Sequence, residues 1–199
     1  ATLTVTTGSG PRGAAMALAA SLAGVDRIFL MAYDYRTAGS DPGGSAPLSR
    51  ADGVDRSITW SLDPSAAAGV PVERTILGLP LYGLAWPSLA SEIGSPKTGR
   101  GAIWVPRRNI DVFLDPAKTA VYDLVEDVSF VAIPVGTAWR SVYYDSPRSL
   151  RAKLAAANER GLAGSGFWAL GYERGLPGYT DLIGAFRAGH SMAPQPAMP

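Results

Sequence analysis

The chain has 199 residues, with 18 lysines and arginines against 17 aspartates and glutamates, and a formal net charge of +1. It has no long run of either charge and no apolar stretch near the roughly 20 residues that span a bilayer, so we expect no nucleic-acid partner and no membrane partner. The chain contains no cysteine, and its single histidine, His190, follows the last predicted helix. These features argue against disulfides, thiolate nucleophiles, Ser-His-Asp triads and two-histidine zinc sites. We expect no metal and no other cofactor.

Short apolar segments alternate with helical patterns along the chain. Strands are predicted at 3–7, 26–35, 74–83 and 165–171, and helices at 13–22, 58–68, 147–160 and 179–187. Ser146 suits the N-cap of the third helix, Pro147 its first turn and Gly161 its end. The order β-α-β-α-β-(insert)-α-β-α predicts a parallel α/β fold.

Aromatic and polar side chains follow three of these strands. Tyr33 and Asp34 come directly after a short apolar run, Tyr82 ends the next strand, and Trp168 lies near the end of the last one. Because active-site loops gather at the carboxyl ends of parallel strands, we expect these residues to face a ligand together. The alternative is that they only satisfy backbone groups or pack.

The strand ends resemble the C-terminal half of glycoside hydrolase family 18, the chitinase-type (β/α)₈ barrels. The resemblance rests on four segments in family order, between about 25 and 183: Met31-Ala-Tyr-Asp34, Leu77-Gly-Leu-Pro-Leu-Tyr-Gly83, Val142-Tyr-Tyr-Asp145 with Ser149-Leu150 after it, and Gly164-Ser-Gly-Phe-Trp168. A single such segment would be weak support, but four in order are specific.

The resemblance implies an α/β fold: the C-terminal half of a (β/α)₈ TIM barrel, with a small α+β insertion between the seventh strand and its helix. Residues 1–86 would hold strands five to seven with their helices, 87–143 the insertion, 144–188 the last helices and the eighth strand, and 189–199 a Pro-rich tail or linker. A complete barrel usually needs about 250 residues. We therefore expect the chain to be a piece of a longer protein and to pair with a missing N-terminal half.

Family members are substrate-assisted retaining glycosidases, in which a glutamate protonates the glycosidic oxygen and the 2-acetamido group of the substrate attacks the anomeric carbon. By resemblance, Tyr33 would donate a hydrogen bond to the acetamido oxygen. Asp34 would accept from sugar or leaving-group hydroxyls, and Met31 would line the pocket under the acetamido methyl. The packing alternative stays open for Met31, since methionine is a frequent core residue.

Three further aromatic residues complete the predicted substrate-binding set. Trp168 would form the floor of the central subsite, Tyr82 would lie beside it, and Trp86 would form the wall of an outer subsite. Leu84 replaces an arginine usual in the family, so the outer subsite is expected to differ. Trp60, Trp104 and Trp139 are interpreted as packing residues.

The acid motif of the family, Asp-x-x-Asp-x-Asp-x-Glu, is absent from these 199 residues. Ala51-Asp-Gly-Val-Asp55 resembles its start, but no glutamate follows, so we interpret Asp52 or Asp55 as a helix N-terminal carboxylate. We predict that the chain is part of a hydrolase of β-1,4-linked N-acetylglucosamine glycans, chitin or peptidoglycan, and does not hydrolyse them alone. The alternatives are a non-catalytic chitinase-like glycan-binding protein and an unrelated α/β module. The family resemblance implies a secreted or cell-wall-associated parent protein.

Overall fold

The computed structural model describes residues 1–53, 56–115, 118, 120–176, 178–187 and 189. The helices and strands follow the chain in this order: β1 (Thr4–Thr7), α1 (Gly10–Leu22), β2 (Arg27–Met31), α2 (Ile58–Ala67), β3 (Thr75–Pro80), β4 (Gly83–Ser88), β5 (Ala102–Trp104), α3 (Ile110–Leu114), β6 (Val121–Asp123), β7 (Val128–Val135), β8 (Ala138–Tyr144), α4 (Pro147–Glu159), β9 (Gly164–Trp168) and α5 (Tyr179–Arg187).

Four parallel strands form the first sheet, in the order β1-β2-β3-β9. Met31 pairs with Gly78, and Pro80 pairs with Trp168. The predicted strands, helices and parallel arrangement are confirmed. Since all four strands run in one direction, their last residues lie along one side of the sheet, which we call the carboxyl edge.

Helices cover one face of the parallel sheet. The buried residues that join strands to helices on this face are Leu30, Leu77, Leu79, Ile58, Leu62, Leu150, Leu154, Tyr179 and Leu182. The opposite face carries Phe29 and Met31, which are only half-buried. Phe29 lies over Gly78, where an added Cβ would come within 2.5 Å of the Phe29 ring. The glycine therefore leaves the space that this ring fills.

Five antiparallel strands form a second sheet, in the order β5-β4-β8-β7-β6. Gly83 already pairs with Trp104 in this sheet, so the predicted start of the insertion at residue 87 falls inside β4. The sheet packs on both faces: Trp86, Phe130 and Tyr143 belong to one buried cluster and Trp104 to another. The predicted packing role of Trp104 is confirmed.

A buried ion pair attaches α4 to the end of β8. Lys153 is 0% exposed and donates to the carboxylate of Asp145, which also accepts from the Ser149 hydroxyl at 2.8 Å. The Tyr179 hydroxyl of α5 donates to the Asp145 carbonyl at 2.7 Å. Burial lowers the pKa of Lys153 and raises that of Asp145, while each opposes the shift of the other. The sequence gave no sign that this lysine is buried.

The region before α2 differs from expectation. The helix begins at Ile58 and is capped by Ser57, whose hydroxyl accepts from the Trp60 N–H at 3.1 Å. Asp52 is instead bonded to Arg50 at 2.6 Å, so its assignment as a helix N-terminal carboxylate is wrong. Asp55, His190 and the Pro-rich segment after it lie outside the described residues. None of the helices in the described part of the chain has the length and apolarity needed to cross a membrane.

Candidate functional site

Tyr33, Asp34 and Tyr82 meet at the carboxyl edge. The rings of Tyr33 and Tyr82 are arranged edge to face, with centroids 6.4 Å apart. The Tyr82 hydroxyl donates to Oδ1 of Asp34 at 2.5 Å. Two residues that are 48 positions apart in the sequence are thus joined directly. The structure brings these three predicted site residues together.

Ser45 completes a closed hydrogen-bond ring with Asp34 and Tyr82. The Asp34 N–H donates to the Ser45 hydroxyl at 3.1 Å, and this hydroxyl donates to the Tyr82 oxygen at 3.4 Å. Asp34 has a φ of 61°, an unusual value for a residue with a side chain. Its carboxylate is exposed, and the ring holds it at the edge of the sheet. Sequence reasoning missed Ser45.

The Tyr33 hydroxyl is available to a ligand. Among the described residues it has no hydrogen-bond partner, and the side chain is half-buried. Burial raises the pKa of Tyr33, and the neighbouring Asp34 carboxylate raises it further. Burial also raises the pKa of Tyr82, together with its hydrogen bond to Asp34. Both phenols therefore remain protonated at neutral pH and can donate.

Trp168 and Met31 lie at the same edge. The Trp168 carbonyl accepts from the Leu81 N–H at 2.6 Å, which places Trp168 beside the residue that precedes Tyr82. Trp168 is 58% exposed although it is the last residue of a strand. Its peptide bond to Ala169 is cis. Met31 ends β2, two residues before Tyr33, and is half-buried. An exposed indole beside partly exposed phenols is an unusual arrangement for packing residues.

Trp86 does not belong to this group. Its side chain is 0% exposed and its ring stacks edge to face on Tyr143, with centroids 6.2 Å apart. The assignment of Trp86 to the wall of an outer subsite is wrong for this chain, because a ligand cannot reach a fully buried ring. The alternation of β4 turns this residue into the core of the second sheet.

A buried carboxylate of the second sheet holds the loop that carries the site. Glu126, in the turn between β6 and β7, accepts from Arg36 at 3.1 Å and Arg50 at 2.7 Å. Its other oxygen accepts from the Gly44 N–H at 2.5 Å. A Cβ on Gly44 would lie 2.7 Å from the Val128 side chain, so only glycine allows this approach. The clamp fixes the segment next to Ser45.

The arrangement combines protonated phenols, one exposed carboxylate and an exposed aromatic face. Within the described residues, no group of three or more His, Cys, Asp or Glu side chains could hold a metal ion. Phenols and carboxylates bind hydroxyl and amide groups, while indoles cover the apolar C–H faces of sugar rings. The edge can therefore bind and orient a neutral saccharide.

Solved structures with the same architecture define the fold class. The class V chitinase of Nicotiana tobaccum superposes with a TM-score of 0.70 at 25% identity, over 84% of this chain and 51% of that one. The Group IV chitinase of Ostrinia furnacalis superposes with a TM-score of 0.75 at 21% identity, over 95% and 58%. The chain has the TIM-barrel-type α/β fold of these proteins.

The family follows from the sequence comparisons. The model of glycosyl hydrolases family 18 matches residues 2–173. A class V chitinase of Lotus japonicus is 30% identical over 151 residues, covering 72% of this chain and 37% of that protein. Chitotriosidase-1 of Mus musculus is 27% identical over 161 residues, covering 73% and 33%. The chain belongs to glycosyl hydrolase family 18, and it spans well under half the length of these two curated relatives.

Proposed function

We propose that the chain forms the C-terminal half of a (β/α)₈ glycosidase barrel acting on β-1,4-linked N-acetylglucosamine glycans. The observation that carries this proposal is the carboxyl edge, where the unpartnered Tyr33 hydroxyl, the Tyr82–Asp34 hydrogen bond and the exposed Trp168 are brought together. Two class V and family 18 chitinase structures, from Nicotiana tobaccum and Cycas revoluta, are titled as complexes with NAG4 and (GlcNAc)3. A β-1,4-linked N-acetylglucosamine oligomer is accordingly the ligand we assign to this edge.

The half-barrel assignment is supported by the uncovered face and ends of the parallel sheet. Phe29 and Met31 lie on the face without helices and are half-buried, as expected for the interior side of a larger barrel. The outer strands are β1 and β9, whose far sides have no paired strand among the described residues. Unpaired strand edges favour pairing with further strands. We assign those strands to the N-terminal half of the parent protein, together with the glutamate acid that these 199 residues lack.

The proposed mechanism is substrate-assisted retaining hydrolysis. Tyr33 donates to the acetamido oxygen of the substrate, which holds that oxygen in line with the anomeric carbon. Asp34 accepts from a sugar hydroxyl or the leaving group while its other interactions with Ser45 and Tyr82 fix its position. Met31 lines the pocket for the acetamido methyl, and Trp168 covers the apolar face of the ring. Fixing the nucleophile in this way lowers the entropic part of the barrier.

A non-catalytic glycan-binding relative would use the same edge, and one observation favours keeping it as the second candidate. The whole binding group is present in this chain, whereas the acid motif is absent. The candidates differ in the parent protein, where an intact acid glutamate supports the hydrolase. For both candidates we expect export of the parent protein, because the glycans concerned lie outside cells or in the cell wall.

Replacing Trp168 by alanine should weaken binding of chitotetraose to the chain about five- to tenfold, since an aromatic face contributes about 1–1.5 kcal/mol. The affinity is measured by isothermal titration calorimetry. Trp139→Ala is the matched control, because Trp139 lies in the β7–β8 hairpin away from the carboxyl edge. Equal affinity of the Trp168→Ala chain and the unchanged chain would count against the proposed site.

A further inference from the structure

A second cavity lies on the antiparallel sheet, outside the carboxyl edge. It has a volume of about 440 Å³, within the range of small-molecule sites. Its lining residues are Ala85, Pro87, Arg100, Ala102, Ile103, Trp104, Asn109 and Arg140. The lining contains two positive charges and no negative charge, on a chain whose net charge is only +1.

The polar groups of this cavity are donors without partners. In the described part of the chain, neither Arg100 nor Arg140 forms an ion pair or a hydrogen bond, whereas Arg36, Arg50 and Arg160 all pair with carboxylates. Trp104 is 3% exposed and its indole Nε1–H has no hydrogen-bond acceptor. A buried donor without an acceptor costs free energy unless a ligand supplies one. Two guanidinium groups and an indole N–H call for an anionic acceptor, and a carboxylate suits the fork of arginine.

The remaining lining is apolar. Ala85, Pro87, Ala102 and Ile103 offer no polar side chain, so the ligand needs an apolar face as well as an anion. The volume of about 440 Å³ also exceeds what a single inorganic anion would fill. A sugar ring that carries a carboxylate combines both properties.

The cavity adjoins the candidate site along β4. Trp104 pairs with Gly83, the residue that follows Tyr82. Ala85 and Pro87 lie two and four residues further on, which is roughly 7 and 13 Å along a strand. A glycan bound at the carboxyl edge and extending along β4 would bring a neighbouring sugar to the arginines.

We propose that this cavity binds a carboxylate-bearing saccharide of the N-acetylmuramic acid type. Arg100 and Arg140 bind the carboxylate, the Trp104 indole N–H donates to a ligand oxygen, and the apolar residues contact the ring. The extension to a polymer rests on the function proposed above and selects peptidoglycan strands over chitin. Binding of the monosaccharide itself does not depend on hydrolysis.

The experiment follows the five tryptophan indole ¹H–¹⁵N resonances of the chain during titration with N-acetylmuramic acid. We expect a saturable shift of the Trp104 resonance, which Trp104→Phe assigns. N-acetylglucosamine and the methyl ester of N-acetylmuramic acid, both neutral, should leave this resonance unchanged. The double variant Arg100→Gln/Arg140→Gln should weaken the titration about tenfold or more. Arg12→Gln/Arg151→Gln, which changes two arginines on other faces, is the matched control and should titrate like the unchanged chain.

Three results would overturn the proposal: no saturable shift of Trp104, an equal shift with the neutral sugars, or an equal affinity for inorganic phosphate, which would make the cavity a general anion site. Because the neutral ligands test the cavity from the ligand side, a misfolded arginine variant does not remove the test. Chitotetraose titrated in parallel reports on Trp168. A silent Trp168 with a responding Trp104 would contradict the proposed function alone, and the reverse would contradict this proposal alone.

Discussion

Lys153→Ala is expected to lower the free energy of unfolding by about 3–5 kcal/mol, because it leaves the Asp145 carboxylate buried without its cation. The pair is completely enclosed: Lys153 is 0% and Asp145 3% exposed. The carboxylate also organises Ser149 of α4, and the Asp145 backbone accepts from Tyr179 of α5. The measurement is urea unfolding of the 199-residue chain, followed by circular dichroism.

Arg151→Ala is the matched control, since Arg151 lies two residues away on α4 and is only half-buried. It should cost well under 1 kcal/mol, the usual range for a surface substitution. The double variant Asp145→Asn/Lys153→Met should lose less than the sum of its single variants, because no unpaired charge remains. A loss below about 1 kcal/mol for Lys153→Ala would show that the buried pair does not stabilise the attachment of α4.

Tyr33→Phe should lower kcat about 100-fold or more in the parent protein, if the Tyr33 hydroxyl positions the acetamido nucleophile as proposed. The reason is that phenylalanine keeps the ring, and hence its contact with Tyr82, but removes the donor. KM should change little, since the ring still contacts the substrate. The measurement is steady-state hydrolysis of a fluorogenic chitobioside.

Tyr35→Phe is the control for this change. The Tyr35 hydroxyl bonds to the Ser61 hydroxyl at 2.5 Å in the core, and burial raises its pKa to about 12, so it is a protonated packing residue. Its loss should reduce stability and leave kcat nearly unchanged. Similar kcat values for Tyr33→Phe and the unchanged enzyme would exclude Tyr33 from the chemical step.

The sequence predicted the parallel sheet and its carboxyl edge because both depend on local patterns. A short apolar run that ends in Tyr33 and Asp34 indicates a buried strand and a functional strand end at once. Trp86 was misassigned for the same reason: its place after a strand motif suggested exposure, while the alternation of β4 and the opposite strand β8 decide its burial.

The residues that support the site could not be found in this way. Glu126 contacts Gly44 over a separation of 82 residues and Arg50 over 76. Such pairings depend on how the second sheet packs against the loop after β2, and no periodicity encodes them. The pair Gly43-Gly44 before Ser45 was the only local sign, because adjacent glycines suit a close backbone approach.

The central claim is that Tyr33, Met31 and Trp168 surround a single N-acetylglucosamine unit. Intermolecular nuclear Overhauser effects between chitotetraose and the ¹³C-labelled chain test it most directly. We predict contacts from one acetamido methyl group to the Met31 methyl and the Tyr33 ring, and contacts from the ring protons of the same sugar to the Trp168 indole. Contacts of these side chains with different sugar units, or contacts confined to other parts of the chain, would contradict it.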